Sequence, residues 1–136
     1  MSRLLALGDS YTIGEGVAES ARWPEQFARL CNAQGGAIEQ PVTVIAQTGW
    51  TSDELLSAIA SGPPLRAYDL VSVLIGVNNQ YRGWPLPRFL AELRQLLEIA
   101  EQAVSGRRGN IQVLSIPDWG RTPFGTACGR DLAVVS

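Results

Sequence analysis

The chain has 136 residues and a net charge of −2, and it contains 11 arginines but no lysine and no histidine. A length close to ~150 residues and a hydrophobic fraction of 46% predict a single globular domain, 1–136, and exclude a disordered chain. The balanced charge gives no footprint for nucleic acid, and no apolar run is long enough to span a membrane. The absent histidine excludes a catalytic triad completed within this chain.

The cellular setting is predicted from the two cysteines and the start of the chain. Cys31 and Cys128 do not make a disulfide framework, which favours a reducing compartment. The segment Met1-Ser2-Arg3 runs directly into an apolar segment and is too short for a signal peptide. We therefore expect a cytoplasmic protein.

Short apolar runs alternate along the chain with amphipathic segments of helix length. Thr51 and Glu54 have the spacing of a capping box at the start of the second helix. The third helix repeats apolar residues at steps of three and four from Phe89 onward, with Glu92 on its polar side. The predicted strands are 4–7, 42–46, 70–75 and 111–116, and the predicted helices begin at Pro24, after Thr51 and at Phe89.

The order β-α-β-α-β-α-β predicts a doubly wound parallel sheet with helices on both faces, a three-layer α/β/α fold. The run 70–75 is apolar almost throughout, as expected for a strand buried on both faces. Residues 118–136 show little periodicity and are predicted to be an irregular tail. In such a fold the functional loops lie beyond the carboxyl ends of the strands.

Each of the first three predicted strands is followed by a residue suited to acyl-transfer chemistry. Ser10 can act as a nucleophile, although Gly-Asp-Ser is also ordinary turn chemistry. Gly49 can offer its backbone N–H to an oxyanion, or it is a turn glycine before a helix cap. Asn78 can donate its side-chain amide to the same charge, or it is a plain loop asparagine. Each signal is weak alone, but their joint placement after three consecutive strands argues against coincidence.

The segment Leu5-Ala6-Leu7-Gly8-Asp9-Ser10-Tyr11 resembles the first block of the SGNH (GDSL) hydrolases, serine esterases and lipases with a flavodoxin-like sheet. Gly49 matches the glycine of the second block, and Gly76-Val77-Asn78 matches the third. The resemblance implies that Ser10 attacks an ester carbonyl. It also implies that the N–H groups of Ser10 and Gly49 and the Asn78 side chain hold the oxyanion. No metal and no cofactor are implied.

The sequence departs from that family pattern at three points. Tyr11 replaces the leucine of the short motif, and Asn79 stands where the third block often has aspartate. The change at Asn79 puts a supporting hydrogen bond in doubt, but not the oxyanion role of Asn78. The last family block, Asp-x-x-His, is absent, and Asp118 and Asp131 are the only acids after the fourth predicted strand. We therefore expect a truncated domain, lacking about two βα units of ~30 residues each, with weak or no activity.

Aromatic and basic residues in the predicted edge loops have less specific roles. Trp50, Trp84 and Trp119 can line an acyl or aromatic ester pocket, or they can shield the core. Arg82 can meet an anionic group, although a solvated loop charge is the commoner role. The fourth strand is left at the edge of the sheet, which predicts a homo-oligomer that covers it.

Two other functions stay open. The missing histidine favours a non-catalytic, ligand-binding remnant of an SGNH hydrolase. A doubly wound sheet can also hold a nucleotide or flavin at its first loop. However, Glu19 occupies the third glycine position of the fingerprint begun by Gly14-Glu15-Gly16, which also lies too far beyond the strand.

Overall fold

The computed structural model of the chain describes residues 1–119. All strands in this part are parallel and form one sheet in the order β2-β1-β3-β4, which confirms the predicted doubly wound fold. The predicted tail beyond residue 119, with Asp131 and Cys128, lies outside the described residues. The strands are β1 (Leu4–Gly8), β2 (Thr43–Ala46), β3 (Leu70–Leu74) and β4 (Ile111–Val113).

The three predicted helices are present, and the capping box at Thr51 and Glu54 is confirmed. Two short helices were not predicted, because four or five residues are too few to show a helical period. Both lie in segments predicted as loops beyond the first and third strands. The helices are α1 (Ser10–Ile13), α2 (Trp23–Ala33), α3 (Ser52–Ser61), α4 (Val77–Tyr81) and α5 (Leu86–Ala103).

The sheet separates two apolar clusters, because successive side chains of a strand point to opposite faces. On one face, side chains of β1 and β3 pack against α3 and α5. On the other face, Ala6 of β1 packs with Ala28 of α2. Helices therefore cover both faces of the sheet. The larger cluster includes Leu5, Leu7, Leu55, Val71 and Leu96.

The fourth strand is shorter than the predicted 111–116. Its neighbour β3 ends at Leu74, and the last backbone hydrogen bond between them runs from Leu114 N–H to Val73 O (2.9 Å). Beyond Leu74, β3 offers no further residue with which β4 can pair. Within residues 1–119, β4 is an outer strand of the sheet, and Val113 is 54% exposed.

Between residues 1 and 119, no helix combines the length and the apolar character needed to cross a membrane.

Candidate active site

Ser10 begins α1 directly beyond the carboxyl end of β1. Asp9 caps this helix, because its Oδ1 accepts a hydrogen bond from Tyr11 N–H (3.0 Å). Only glycine fits at position 8, since a Cβ there would approach the Leu74 carbonyl oxygen to 2.8 Å. The helix is thus held against the sheet edge, and Ser10 lies half-buried at its first turn.

The Asp9 carboxyl is an unusual group for a helix cap, because only 1% of the residue is exposed. Its Oδ2 atom has no hydrogen-bond partner among residues 1–119. Burial raises the pKa of Asp9 from 3.8 to about 6, against the opposing effect of the backbone N–H groups bonded to it. A raised pKa in the folded state favours folding at low pH. That stability is present in full below pH 3.8 and is lost as the pH rises through about 6.

The substitution Asp9→Asn should therefore raise the free energy of unfolding at pH 7, by about 1–3 kcal/mol, and change it little near pH 3.5. Asparagine retains the Oδ1 acceptor that caps α1 but carries no charge that must be buried. Urea unfolding at the two pH values measures the effect, with Glu15→Gln, at an exposed position, as the control. An equal pH dependence in native and Asp9→Asn protein would contradict it.

The loops that follow β2 and β3 are joined by side-chain-to-backbone hydrogen bonds. Asn78 Nδ2 donates to Trp50 O (2.9 Å), and Arg82 Nη2 donates to Gly49 O (2.9 Å). Gly49 has a φ of +86°, which favours glycine, and the space where its Cβ would lie is open to at least 4 Å. Two consecutive carbonyl groups of the loop beyond β2 are therefore held by Asn78 of α4 and by Arg82, which follows α4.

Sheet register brings the three predicted catalytic residues to one edge. Gly8, at the end of β1, is paired with Ala46 of β2 and with Leu74 of β3. Ser10, Gly49 and Asn78 follow these positions by two to four residues, so all three lie beyond the same edge of the sheet.

The Asn78 amide retains donor capacity at this edge. Its side chain is half-buried, and among residues 1–119 it makes one hydrogen bond, to Trp50 O. A carboxamide has two N–H donors, so one fixes the side chain and the other is free to meet a negative charge. The arrangement suits stabilisation of an oxyanion.

Asn79 forms a buried hydrogen-bond network with Ser52 and Glu92. Its Oδ1 accepts from Ser52 N–H (3.0 Å), and its Nδ2 donates to Ser52 Oγ (2.9 Å). Ser52 Oγ in turn donates to Glu92 Oε1 (3.0 Å). Glu92, predicted on the exposed side of its helix, is only 8% exposed, because this network draws its carboxylate inward. The network links α4 with the first turn of α3 and with α5.

The substitution Ser52→Ala should lower the free energy of unfolding by roughly 2–3 kcal/mol. It leaves the Asn79 amide and the Glu92 carboxylate buried, each without one of its partners. Thermal or urea unfolding measures the loss, and Ser57→Ala, at an exposed position of the same helix, should stay within about 0.5 kcal/mol of the native protein. Equal stability of the two variants would contradict the role of the network.

The three tryptophans predicted to line a substrate pocket have different environments. Trp50 is half-buried and packs against the larger core cluster. Trp84 is half-buried beneath the guanidinium of Arg88, whose Cζ lies 4.0 Å from its ring centroid. Trp119 is 5% exposed, packs with Val77 and donates from Nε1 to Gln80 Oε1 (2.9 Å). The burial of Trp119 favours its role in shielding the core. For Trp50 and Trp84, a role in lining a substrate pocket stays a prediction.

The comparison with family models decides the family. The model for GDSL-like lipases and acylhydrolases matches residues 6–133, nearly the whole chain. The chain belongs to the GDSL-like lipase/acylhydrolase family. No curated protein sequence matches it.

Several solved structures share the fold of this GDSL-like chain at low sequence identity. AlinE4, an SGNH-hydrolase family esterase, is 23% identical with a TM-score of 0.64, covering 85% of this chain and 58% of its own. The esterase EstA from Pseudoalteromonas sp., inhibited by monoethylphosphonate, is 19% identical with a TM-score of 0.67, covering 89% and 64%. The lipase/acylhydrolase from Enterococcus faecalis is 17% identical with a TM-score of 0.69, covering 99% and 66%. The chain thus spans 58–66% of the length of these structures.

Two features of this GDSL-like site escaped the sequence analysis. The sequence around Asp9 predicted a turn and gave no indication that the Asp9 carboxyl is buried. For Arg82, contact with an anionic group and a solvated loop charge were both considered, but not the hydrogen bond to Gly49 O that its guanidinium makes beside its contact with Glu54. No sequence signal marked these contacts of Arg82, because they depend on α4, which is too short to show a helical period.

Proposed function

We propose that the chain is a serine hydrolase of carboxylic esters, with Ser10 as nucleophile. The observation that carries this proposal is the convergence of Ser10, Gly49 and Asn78 beyond one edge of the parallel sheet. The Asn78–Trp50 hydrogen bond supports it further, because it orients an amide donor beside the loop of Gly49. Membership of the GDSL-like lipase/acylhydrolase family is consistent with this chemistry.

In the proposed reaction, Ser10 Oγ forms a bond to the ester carbonyl carbon while the carbonyl π electrons move to oxygen. The N–H groups of Ser10 and Gly49 and the Asn78 amide stabilise that oxygen, and donors fixed beforehand cost no reorganisation in the transition state. Collapse of the adduct breaks the bond from the carbonyl carbon to the ester oxygen, and the leaving alkoxide takes a proton from solvent to become the alcohol. Water then hydrolyses the acyl-Ser10 ester, which releases the carboxylic acid and restores the Ser10 hydroxyl. These 136 residues contain no histidine, so in the proposed reaction the Ser10 proton passes to solvent.

Hydrolysis of a 4-nitrophenyl ester by native, Ser10→Ala and Ser57→Ala proteins tests the proposal. The enzyme-dependent rate should disappear in Ser10→Ala, because no other group in the scheme forms the acyl ester. Ser57→Ala, at an exposed position of α3, should hydrolyse the ester like the native protein. Equal rates in native and Ser10→Ala protein would contradict the role of Ser10.

The absent histidine favours one second candidate, a non-catalytic module that binds an acylated or sugar ligand at the same edge of the sheet. That module would bind an ester without forming a covalent bond to Ser10. Under either function, Trp50 and Trp84 are proposed to flank the ligand, and Trp119 is proposed to shield the core beneath it. A cytoplasmic location of the protein stays a prediction.

We also propose that a second copy of the chain associates along the outer edge of β4. The proposal rests on the exposure of Val113 at an edge whose backbone groups have no partner strand within residues 1–119. Sedimentation velocity over a range of concentrations should reveal a dimer or larger assembly, and Val113→Lys should weaken it. A monomer at the highest concentration would contradict this proposal.

A further inference from the structure

Arg82 links the loop beyond β2 to the segment that follows α4. Its Nη2 atom donates to Gly49 O (2.9 Å) and lies 3.2 Å from Glu54 Oε1. Its Cζ atom also lies 5.4 Å from the ring centroid of Trp84. One nitrogen of one side chain therefore makes both polar contacts.

The partner of Arg82 is itself fixed. Glu54 Oε1 accepts a hydrogen bond from Thr51 N–H (3.2 Å), as part of the capping box that begins α3. The position of the carboxylate is thus set by the backbone of the helix, not by the arginine. A guanidinium tied to such an anchor can hold the Gly49 carbonyl in one direction.

The direction of that carbonyl bears on the proposed oxyanion site. The Gly49 carbonyl is bound by Arg82, the next carbonyl is bound by Asn78, and Trp50 N–H closes the turn onto Gln47 O (3.3 Å). Gly49 has no side chain to restrict its own φ and ψ angles. The Gly49 carbonyl shares a peptide plane with the Trp50 N–H, whereas the Gly49 N–H lies in the preceding plane. Contacts made by other residues must therefore fix the turn that joins the two planes.

We infer that Arg82 is a positioning residue: by holding the Gly49 carbonyl it fixes the peptide plane between Gly49 and Trp50, and with it the turn that presents the Gly49 N–H to the oxyanion. This inference rests on the proposed function. Arg82 does not touch the substrate in this role, and its side chain is 41% exposed, where ion pairs contribute little to stability. A merely structural Arg82 would therefore have little effect on either stability or catalysis.

The substitution Arg82→Gln should lower kcat for a 4-nitrophenyl ester by about 10- to 100-fold and leave KM unchanged. The Gly49 donor acts on charge that exists only in the transition state, and small misplacements of such groups are costly. Arg82→Lys should recover part of the lost kcat, because a single nitrogen can make both contacts. The recovery should be incomplete, because the lysine side chain is one bond shorter than that of arginine. Arg94→Gln removes an exposed arginine of α5 and should match the native protein.

The amide signal of Gly49 in ¹⁵N relaxation experiments provides a readout that does not require turnover. Arg82→Gln should increase the mobility of this amide, whereas Arg94→Gln should not. If the native protein shows no Ser10-dependent hydrolysis, the proposed function fails, and the Gly49 amide alone decides whether Arg82 orients the loop. An unchanged Gly49 signal, or a kcat in Arg82→Gln within twofold of that in Arg94→Gln, would overturn the inference.

Discussion

The 136-residue chain should hydrolyse an activated aryl ester only about 10³–10⁴-fold faster than water, roughly 10⁶-fold below a complete serine hydrolase. The reason is the missing general base. In the proposed reaction Ser10 must lose its proton as it attacks, and the chain contains no histidine to accept it. In the proposed reaction the residual acceleration comes from attack by Ser10 without a base, on an ester that the oxyanion donors and the binding contacts hold in place. Steady-state hydrolysis at pH 7, corrected with Ser10→Ala, measures it.

The same measurement identifies the outcome that would contradict this expectation. Brisk turnover at pH 7 that Ser10→Ala abolishes would mean that another group of the chain serves as the base. Such a result would leave Ser10 as nucleophile but would overturn the account of the slow rate. Ser57→Ala provides the matched serine control, because its hydroxyl lies at an exposed position remote in sequence from Ser10.

Replacing Asn78 with alanine should lower the Ser10-dependent rate by about 10²–10³-fold, with KM little changed. The amide hydrogen not used by Trp50 O is proposed to meet the oxyanion, whose charge develops only in the transition state. Asn78→Asp, which has a similar size but cannot donate when ionised, should lose as much. Rates at several substrate concentrations separate kcat from KM.

Because Asn78 also holds the Trp50 carbonyl, its loss could act through the loop of Gly49. The Gly49 amide signal distinguishes the two causes, since a direct donor can be lost while the loop stays ordered. Gln95→Ala, at an exposed position of α5, controls for loss of an amide elsewhere. A rate in Asn78→Ala within a fewfold of the native rate would contradict the oxyanion role.

Much of the fold could be predicted because it depends on local pattern. The almost continuous apolar run of β3 indicated a strand buried between two helix layers, and Thr51 with Glu54 marked the first turn of α3. The short helices α1 and α4 could not be predicted, because they are too short to show a period: α1 is capped by Asp9, and α4 is joined to α3 through Asn79 and Ser52. The early end of β4 depends on where its neighbour β3 ends, which is tertiary information.

The candidate site divides in the same way. The position of Ser10, Gly49 and Asn78 beyond one edge of the sheet could be predicted, because each follows a strand whose carboxyl end defines that edge, whereas their roles stay a prediction. The contacts that support them join residues 27 to 40 positions apart, as in the network of Asn79, Ser52 and Glu92. No local pattern encodes such pairs, and an isolated glutamate on a helix is usually solvated.

Covalent labelling of Ser10 tests the central claim most directly. A fluorophosphonate should bond through phosphorus to Ser10 Oγ and lose fluoride, with the phosphoryl oxygen occupying the oxyanion site. Without a base the reaction should be slow, and intact mass after long incubation should show one adduct, mapped to Ser10 by peptide analysis. The Ser57→Ala protein should carry the same adduct and the Ser10→Ala protein none. An unlabelled native protein, or an adduct on another residue that persists in Ser10→Ala, would contradict the account.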